Sequence, residues 1–319
     1  MEIIAGMYQL KVPIPNNPVG YVLPYVFEVE GGCAIIDPGW DADESYEALQ
    51  QQLAEIGAGV RDIKQVIVTH VHPDHYGLAA RVREASGAQV IVHEKDIDQA
   101  WRFTNPDAIG DWFTRAGMPA AESATLDRGR PFRRMSIATP DTTMKDGEAL
   151  RLGKFRLEVI WTPGHSPGHA CFYMRDHELL LSGDHVLPTI SPNVSLQPGS
   201  DADPLGDYIH SLKKLRGLSV RRVLPAHEYS FDDLGARLDE LEHHHAARLQ
   251  EVFDAIDAGA RTAYEIAGGI RWAIGTFQSF NSWTRRAAMS ETLSHLRYLV
   301  RQGRLREELV DELLTYSRP

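Results

Sequence analysis

The stretch Thr69-His70-Val71-His72-Pro73-Asp74-His75-Tyr76-Gly77 decides the fold, and it follows a short apolar run that is typical of a buried strand. Alternate residues of an extended chain point to the same side, so His70 and His72 can present their imidazoles to one point. The proline favours the start of a helix, which would aim Asp74 and His75 at a neighbouring point. Four such side chains would cost much free energy if they were buried without partners. Neutral imidazoles and a carboxylate suit zinc or another first-row transition metal, so the stretch predicts a metal site.

Three more side chains of the same kind occur later in the chain, each after an apolar run and a turn of small residues. They are His165 in Thr162-Pro163-Gly164-His165, Asp184 in Leu181-Ser182-Gly183-Asp184, and His227 in Leu224-Pro225-Ala226-His227. This position would place each of them at the end of a strand, on the rim of a sheet. A solvated histidine-rich loop does not explain the recurrence, so the pattern favours a metal centre assembled from four segments.

These segments resemble the metallo-β-lactamase superfamily, whose HxHxDH signature reads HVHPDH at residues 70–75. The resemblance covers roughly residues 1 to 230 and includes the later segments in the expected order. It implies an α/β fold, the αββα sandwich, and a hydrolase with two divalent metal ions. One ion would be held by His70, His72 and His165, the other by Asp74, His75 and His227, and Asp184 would bridge both.

The resemblance also implies a chemistry. Two ions, with zinc the first choice and iron or manganese fitting the same ligands, would activate a bound water as the nucleophile. Asp74 would be the catalytic residue that orients this water and relays its proton. An aspartate at position 184 is similar to the glyoxalase II, lactonase and RNase Z branches rather than to the antibiotic-degrading enzymes.

Other candidate residues have two interpretations each. Asp37, after an apolar strand, would support the ligand loop or cap a turn. His169 would donate to substrate or make a structural hydrogen bond, and Asn193 would donate to a substrate oxygen or belong to a turn. The run His243-His244-His245 occupies helix positions about 100° apart, which predicts a solvated face rather than a metal site.

The chain divides into two predicted domains. Residues 1–231 alternate strands and helices as a catalytic α/β domain does, with Tyr21–Glu30 reading as one strand. A segment at about 96–142 interrupts the alternation and would form a lid, a pocket wall or a packed insertion. It contains the large apolar residues Trp101, Phe103, Trp112, Phe113 and Met118. Residues 232–319 read as helices and a hairpin, which predicts a winged-helix-like domain similar to the C-terminal extension of β-lactamase-like endoribonucleases.

Composition sets the broad class of the protein. The 319 residues are 43% hydrophobic and 24% charged, which excludes a disordered or fibrous chain. The two cysteines, Cys33 and Cys171, stand in apolar segments and exclude a disulfide framework. No apolar run reaches about 18 residues and no leader pattern is seen, so we expect a cytoplasmic protein without a membrane partner.

The net charge of the chain and the distribution of its arginines indicate whether it binds nucleic acid. A net charge of −11 opposes general binding to nucleic acid. Six arginines between Arg285 and Arg306 form a basic stripe that could meet phosphates, yet residues 232–319 hold eleven arginines against fourteen acidic residues. A solvated face, a domain contact or a contact in a homo-oligomer explains the stripe equally well.

Three functional hypotheses follow. The first is a dinuclear metallohydrolase of small acyl substrates, either thioesters or lactones. The second is a phosphodiesterase or endoribonuclease that uses the same metals, and the third is a winged-helix DNA-binding regulator. The acidic balance and the aromatic insertion favour the first hypothesis, and the intact ligand set disfavours the third.

Overall fold

The computed structural model describes residues 1–97, 109–124 and 138–319. Its strands are β1 (Glu2–Ile4), β2 (Met7–Gln9), β3 (Val12–Pro13), β4 (Tyr21–Val22), β5 (Tyr25–Val29), β6 (Gly32–Ile36), β7 (Ile63–Ile67), β8 (Gln89–His93), β9 (Thr142–Met144), β10 (Ala149–Leu152), β11 (Phe155–Trp161), β12 (Ala170–Met174), β13 (Leu179–Gly183), β14 (Arg222–Pro225), β15 (Arg306–Val310) and β16 (Leu313–Ser317). Its α-helices are α1 (Asp43–Glu55), α2 (Pro73–Tyr76), α3 (Ala79–Ser86), α4 (Ile109–Arg115), α5 (Ala120–Ser123), α6 (Pro204–Leu215), α7 (Leu234–Asp257), α8 (Ala263–Gly269) and α9 (Ser282–Arg301). Among the described helices, none combines the length and the apolar character that crossing a bilayer requires.

Two sheets face each other at the centre of the molecule. The first has the order β1-β2-β5-β6-β7-β8-β9 and the second the order β10-β11-β12-β13-β14. Their facing sides share one apolar cluster, in which Phe27 and Ile36 of the first sheet lie with Phe155 and Phe172 of the second. The rings of Phe27 and Phe155 meet edge to face with centroids 5.4 Å apart. Removing these side chains from water is the main favourable contribution to stacking the sheets.

Helices cover the outer face of each sheet. Leu49 and Leu53 of α1 and Val82 of α3 pack with Ile35 and Val66 on the outer face of the first sheet. Helix α6 and the C-terminal helices cover the second sheet in the same way. The layers therefore run helix, sheet, sheet, helix, which confirms the α/β class and the αββα sandwich.

Strand direction positions the site. Strands β6, β7, β8 and β9 are parallel, and helical crossovers such as α1 and α3 connect them. In the second sheet β13 and β14 are parallel, and β11 runs the same way because β12 is antiparallel to both of its neighbours. Each segment with a candidate ligand follows the carboxyl end of one of these strands.

The C-terminal part consists of three helices and a hairpin, α7, α8, α9 and β15–β16. Leu293 and Leu296 of α9 share an apolar cluster with Leu212 of α6 and Tyr173 of β12. The C-terminal helices thus pack over the second sheet. Three helices before a hairpin is the order expected of a winged helix, and the assignment of residues 232–319 to a separate winged-helix-like domain stays a prediction.

The interrupting segment is described only in part. Phe113 of α4 and Met118 after it are buried in the same cluster as the C-terminal helices. Glu122 of α5 accepts a hydrogen bond of 3.0 Å from Arg285 of α9. These residues fasten the segment to the C-terminal part, whereas Trp101 and Phe103 lie outside the described residues.

The structure departs from the sequence predictions at three places. The predicted strand Tyr21–Glu30 is divided into β4 and β5, with Pro24, which has no N–H to donate, between them. Strands β9 and β10 were not predicted, because their short runs carry polar residues. The solvated face predicted for residues 243–245 is wrong at His245, which is 1% exposed and 3.2 Å from His295. Positions 100° apart cannot all face solvent on a packed helix.

Candidate metal centre

The first group of candidate ligands consists of His70, His72 and His165. One ring nitrogen from each lies within 4.8 Å of those of the other two. The Nε2 atoms of His70 and His165 are 3.1 Å apart. His70 and His72 follow β7 along an extended chain, whereas His165 comes from the loop after β11 in the other sheet. The two sheets thus contribute jointly to this group.

The second group consists of Asp74, His75 and His227, whose ligand atoms also lie within 4.8 Å of one another. Helix α2 begins at Pro73 and turns the chain away from the first group. The Nε2 atom of His227 is 3.5 Å from Oδ2 of Asp74, and Nε2 of His75 is 3.8 Å from Oδ1 of the same carboxylate.

Asp184 lies between the two groups. Its Oδ2 is 3.6 Å from Nε2 of His165 in the first group. Its Oδ1 is 3.3 Å from Nε2 of His227 and 3.5 Å from Nε2 of His75 in the second. One carboxylate oxygen therefore faces each group, as a bridging ligand requires. All seven predicted ligands meet at this place, and their role as ligands stays a prediction.

Hydrogen bonds on the far side of the rings select the tautomer. The Nδ1–H of His227 donates to the carbonyl of Tyr21 at 2.8 Å, and that of His165 donates to the carbonyl of Asn193 at 2.8 Å. The Nδ1–H of His75 donates to Oδ2 of Asp37 at 3.0 Å. Each bond directs the Nε2 atom of its ring into the centre, which is how protein histidines are prepared for a metal.

Asp37 is the buried carboxylate behind the second group. Besides His75, it accepts a hydrogen bond from the Thr69 backbone N–H at 2.8 Å and one from the Thr69 hydroxyl at 2.7 Å. The Thr69 hydroxyl in turn accepts the Nδ1–H of His70 at 3.0 Å. Asp37 thereby orients one histidine from each group, directly for His75 and through Thr69 for His70.

His169 holds the backbone of Asp184 in place through a hydrogen bond. Its Nε2 accepts the backbone N–H of Asp184 at 3.1 Å, so its Nδ1–H donates to the Thr162 hydroxyl at 2.8 Å. With both nitrogens engaged, the ring has the structural hydrogen bonds that were one of its two interpretations. Gly183, at φ +51°, makes this approach feasible, because a Cβ there would lie 2.6 Å from Nε2 of His169.

The side chain of Asn193 forms hydrogen bonds with residues outside the metal centre. Its amide Nδ2 donates to Glu291 of α9 at 3.4 Å, and its Oδ1 accepts from the Ser195 hydroxyl. Its backbone carbonyl is the acceptor that orients His165. The side chain is therefore engaged within the protein, and a direct hydrogen bond to substrate stays a prediction.

Sequence reasoning missed Asp96, which joins the two ligand loops. Its Oδ2 accepts the Val71 N–H at 3.0 Å, between His70 and His72, and its Oδ1 accepts the Gly168 N–H at 2.7 Å. Burial raises the pKa of Asp96 to about 6. The sequence signal that could have identified Asp96 is its position just after β8. The carboxyl end of β8 lies beside that of β7, the strand that His70 and His72 follow.

The electrostatics of the centre favour a cation. Among the described residues, Asp74 and Asp184 form ion pairs only with histidines and with no lysine or arginine. Burial lowers the pKa of His72 to about 3, which keeps that ring neutral. Burial also lowers the pKa of His227, but the charge of Asp184 outweighs it and raises that pKa to about 10. The carboxylates thus draw positive charge to this place.

Two buried atoms in the centre have no hydrogen-bond partner among the residues that the structure describes: Nε2 of His75 and Oδ1 of Asp184. A buried polar atom without a partner costs free energy, and a divalent cation between these two would satisfy both. The donors are nitrogen and oxygen throughout, which suits zinc, iron or manganese. The residues present therefore fit a metal centre.

A groove of about 240 Å³ leads outward from His72 and His165. Its walls include Trp161 and prolines from the loop after β11, together with the chain that precedes α6. A small molecule placed in this groove would reach the first group of ligands.

Comparison with known proteins places the chain in a family. The profile of the metallo-beta-lactamase superfamily matches residues 17–227, the part of the chain that contains all seven candidate ligands. The chain is 27% identical over 300 residues to the probable metallo-hydrolase YqjP of Bacillus subtilis (strain 168), covering 90% of each protein. It is 30% identical over 188 residues to the acyl-coenzyme A thioesterase MBLAC2 of Bos taurus, covering 57% of this chain and 62% of that protein.

A solved structure agrees over the whole chain. The metallo-beta-lactamase family protein TTHA1429 from Thermus thermophilus is 32% identical, with a TM-score of 0.84 and full coverage of both chains. The superfamily profile and this likeness agree with the sandwich fold and with the histidines and aspartates at the strand ends. The chain therefore belongs to the metallo-β-lactamase superfamily and is a metal-dependent hydrolase of that superfamily.

Proposed function

We propose that the protein is a dinuclear metallohydrolase of small acyl substrates, either thioesters or lactones. The observation that carries the proposal is the place of Asp184, with one oxygen toward each ligand group and its Oδ2 3.6 Å from Nε2 of His165, a residue that also lines the groove. Zinc is the metal we propose, since imidazole and carboxylate ligands suit it. A cytoplasmic location belongs to the same proposal.

Two divalent ions at this centre would supply Lewis acidity toward the substrate carbonyl and would lower the pKa of water. His70, His72 and His165 would hold one ion and Asp74, His75 and His227 the other, with Asp184 shared. The walls of the groove would hold the acyl compound with its carbonyl beside His72 and His165, where attack of water breaks the acyl bond.

Asp74 is the carboxylate we assign to proton transfer. Its side chain is 19% exposed, against 2% for Asp37, so it reaches the open side of the centre. Burial raises the pKa of Asp74, but His75 and His227 outweigh it and hold that pKa below its usual range. As a carboxylate, Asp74 would accept a proton from the attacking water and return it to the departing thiolate or alkoxide.

The name of one relative and the ion pairs of the arginines in α9 both favour an acyl substrate over a nucleic acid. MBLAC2, which is 30% identical to this chain over 188 residues, is named an acyl-coenzyme A thioesterase. The arginines of α9 are engaged within the protein: Arg297 and Arg301 pair with Asp201, and Arg285 pairs with Glu122. These contacts reduce the charge available to phosphates, so the phosphodiesterase and the DNA-binding regulator are the weaker candidates.

The test is hydrolysis by protein purified without chelators and loaded with zinc. We expect turnover in a panel of acyl thioesters and lactones, its loss in His72→Ala, and its retention in His210→Ala, a histidine outside the centre. Changing Arg301 and Arg304 to methionine should leave turnover intact. Salt-sensitive RNA cleavage that those arginine variants weaken, without thioester or lactone turnover, would overturn the proposal.

A further inference from the structure

The groove beside the first ligand group has a lysine, Lys95, on its border. Lys95 lines the groove together with His72 and His165, and its side chain is exposed. Its Nζ makes neither a hydrogen bond nor an ion pair with the residues that the structure describes. The adjacent carboxylate, Glu94, pairs instead with Lys145 at 3.6 Å. The charge of Lys95 is therefore available to a ligand.

The backbone beneath Lys95 is firmly held. The residue stands in the 3₁₀ turn Glu94–Asp96, and its N–H donates to Nδ1 of His93 at 3.3 Å. The next residue, Asp96, accepts the backbone N–H groups of Val71 and Gly168, which belong to the two ligand loops. The backbone of Lys95 is thus connected through Asp96 to the same loops that contain His72 and His165. Such connections keep a binding group in a fixed position relative to a reacting centre.

An apolar wall accompanies this cation. The ring of Trp161 stacks on His93 with centroids 5.8 Å apart and planes 5° from parallel, and its Nε1–H donates to the Pro167 carbonyl at 2.8 Å. These contacts fix the indole where it lines the groove. Such a ring offers a rigid surface to an alkyl segment.

The groove holds one formal charge of each sign on its described lysine, arginine and acidic side chains. Asp207 of α6 is the carboxylate, and it is near enough to Arg301 for that charge to act on it. Lys95 has no corresponding partner in the described part of the chain. A single unpaired lysine acts as a point charge and matches a single negative charge on a ligand.

We propose that Lys95 binds a carboxylate of the substrate, so that the enzyme selects anionic thioesters or lactones whose alkyl segment lies along Trp161. The inference rests on the proposed function, because it takes the scissile carbonyl to lie at the end of the groove formed by His72 and His165. A hydrogen bond to a charged group contributes about 1.5 kcal/mol or more. That corresponds to a preference of about tenfold for the anion over a neutral isostere.

The experiment compares matched pairs of thioesters on the zinc-loaded full-length protein. S-acetyl-3-mercaptopropionate and S-acetyl-6-mercaptohexanoate would each be compared with the corresponding primary amide, which has the same length and no charge. We expect kcat/KM to be about tenfold higher for the carboxylate of at least one pair, and this ratio to decrease as salt is raised.

Variants assign the preference to one residue. Lys95→Met should reduce the ratio of carboxylate to amide to near one, mainly through KM, with the amide rate unchanged. Lys95→Glu should invert the preference. Lys213→Met, which removes an exposed lysine of α6 outside the groove, should keep the wild-type ratio. A wild-type ratio near one, or an equal loss on both members of a pair in Lys95→Met, would overturn the inference while leaving thioester hydrolysis established.

Binding supplies a readout that does not need turnover. The thioether ketone 3-(acetonylthio)propanoate mimics the acetyl thioester and cannot be hydrolysed. Calorimetry should show it binding about tenfold more tightly than its amide to the wild type and equally to Lys95→Met. If no thioester is turned over but this difference holds, the proposed hydrolysis fails and the carboxylate site stands. If the two ligands bind the wild type alike, the site assigned to Lys95 fails.

Discussion

Replacing Asp37 with asparagine should weaken metal binding without removing any candidate ligand. Asp37 accepts three hydrogen bonds, from Nδ1 of His75, the Thr69 hydroxyl and the Thr69 backbone N–H. Asparagine keeps the shape of the side chain, and it tolerates the φ of +55° at this position. Its NH₂ group, however, would face at least one of these donors and leave it without an acceptor.

The magnitude follows from the lost acceptor. Removing the hydrogen-bond partner of a metal-binding histidine typically lowers metal affinity about 10- to 100-fold, which is about 1.4–2.8 kcal/mol. An unsatisfied buried donor would also reduce the free energy of unfolding of the metal-free protein by about 1–3 kcal/mol. We therefore expect the metal affinity and the free energy of unfolding both to decrease. The metal affinity decreases because His75 loses its fixed orientation.

Competition with a chromophoric chelator measures the zinc affinity, and urea denaturation measures the stability. Asp141→Asn is the matched control, because Asp141 accepts the Val90 N–H and pairs with Arg83 but contacts no candidate ligand. It should lower stability and leave zinc affinity unchanged. A change of less than about twofold in zinc affinity for Asp37→Asn would refute the reasoning, since packing alone would then hold His75 in place.

Three further predictions concern the centre and α9. Gly183→Ala should lower zinc occupancy and the zinc-dependent increase in Tm, because its Cβ would lie 2.6 Å from His169; Gly217→Ala, with open space around it, should change neither. Since the pKa of His227 is raised to about 10, zinc must displace its proton, so calorimetry in buffers of different ionisation enthalpy should show proton release at pH 7 and an affinity that increases with pH. Burial raises the pKa of Glu291 to about 7, above its unfolded value, so its contribution to stability is complete at low pH and is lost as pH rises through 7. Between pH 5 and pH 8 the free energy of unfolding of the wild type should therefore decrease by about 2.5 kcal/mol more than that of Glu291→Gln, and identical pH profiles would contradict this.

Much of the centre could be predicted because its signals are local. Each candidate ligand follows an apolar run, and the end of a strand is a position that short-range sequence patterns reveal. The spacing of His70 and His72 needs only an extended chain, and the position of Asp74 needs only the start of a helix. What the sequence could not supply was the pairing between segments, for which the resemblance to a family was needed.

The residues that were missed depend on contacts between distant parts of the chain. Asp96 is significant only because it accepts N–H groups from Val71 and Gly168, which lie in two different loops. The partner of Arg297 and Arg301 is Asp201, about a hundred residues earlier, so their charge run gave no sign of it. His245 was assigned to solvent because a helix pattern alone does not say which of three neighbours faces another helix.

Anomalous diffraction at the zinc edge tests the central claim most directly. Crystals of protein purified without chelators and supplied with zinc should show two anomalous peaks, one among His70, His72 and His165 and one among Asp74, His75 and His227, with Asp184 contacting both. Peaks at other places only, or no peak in a protein that is fully folded and zinc-saturated by solution titration, would contradict the account.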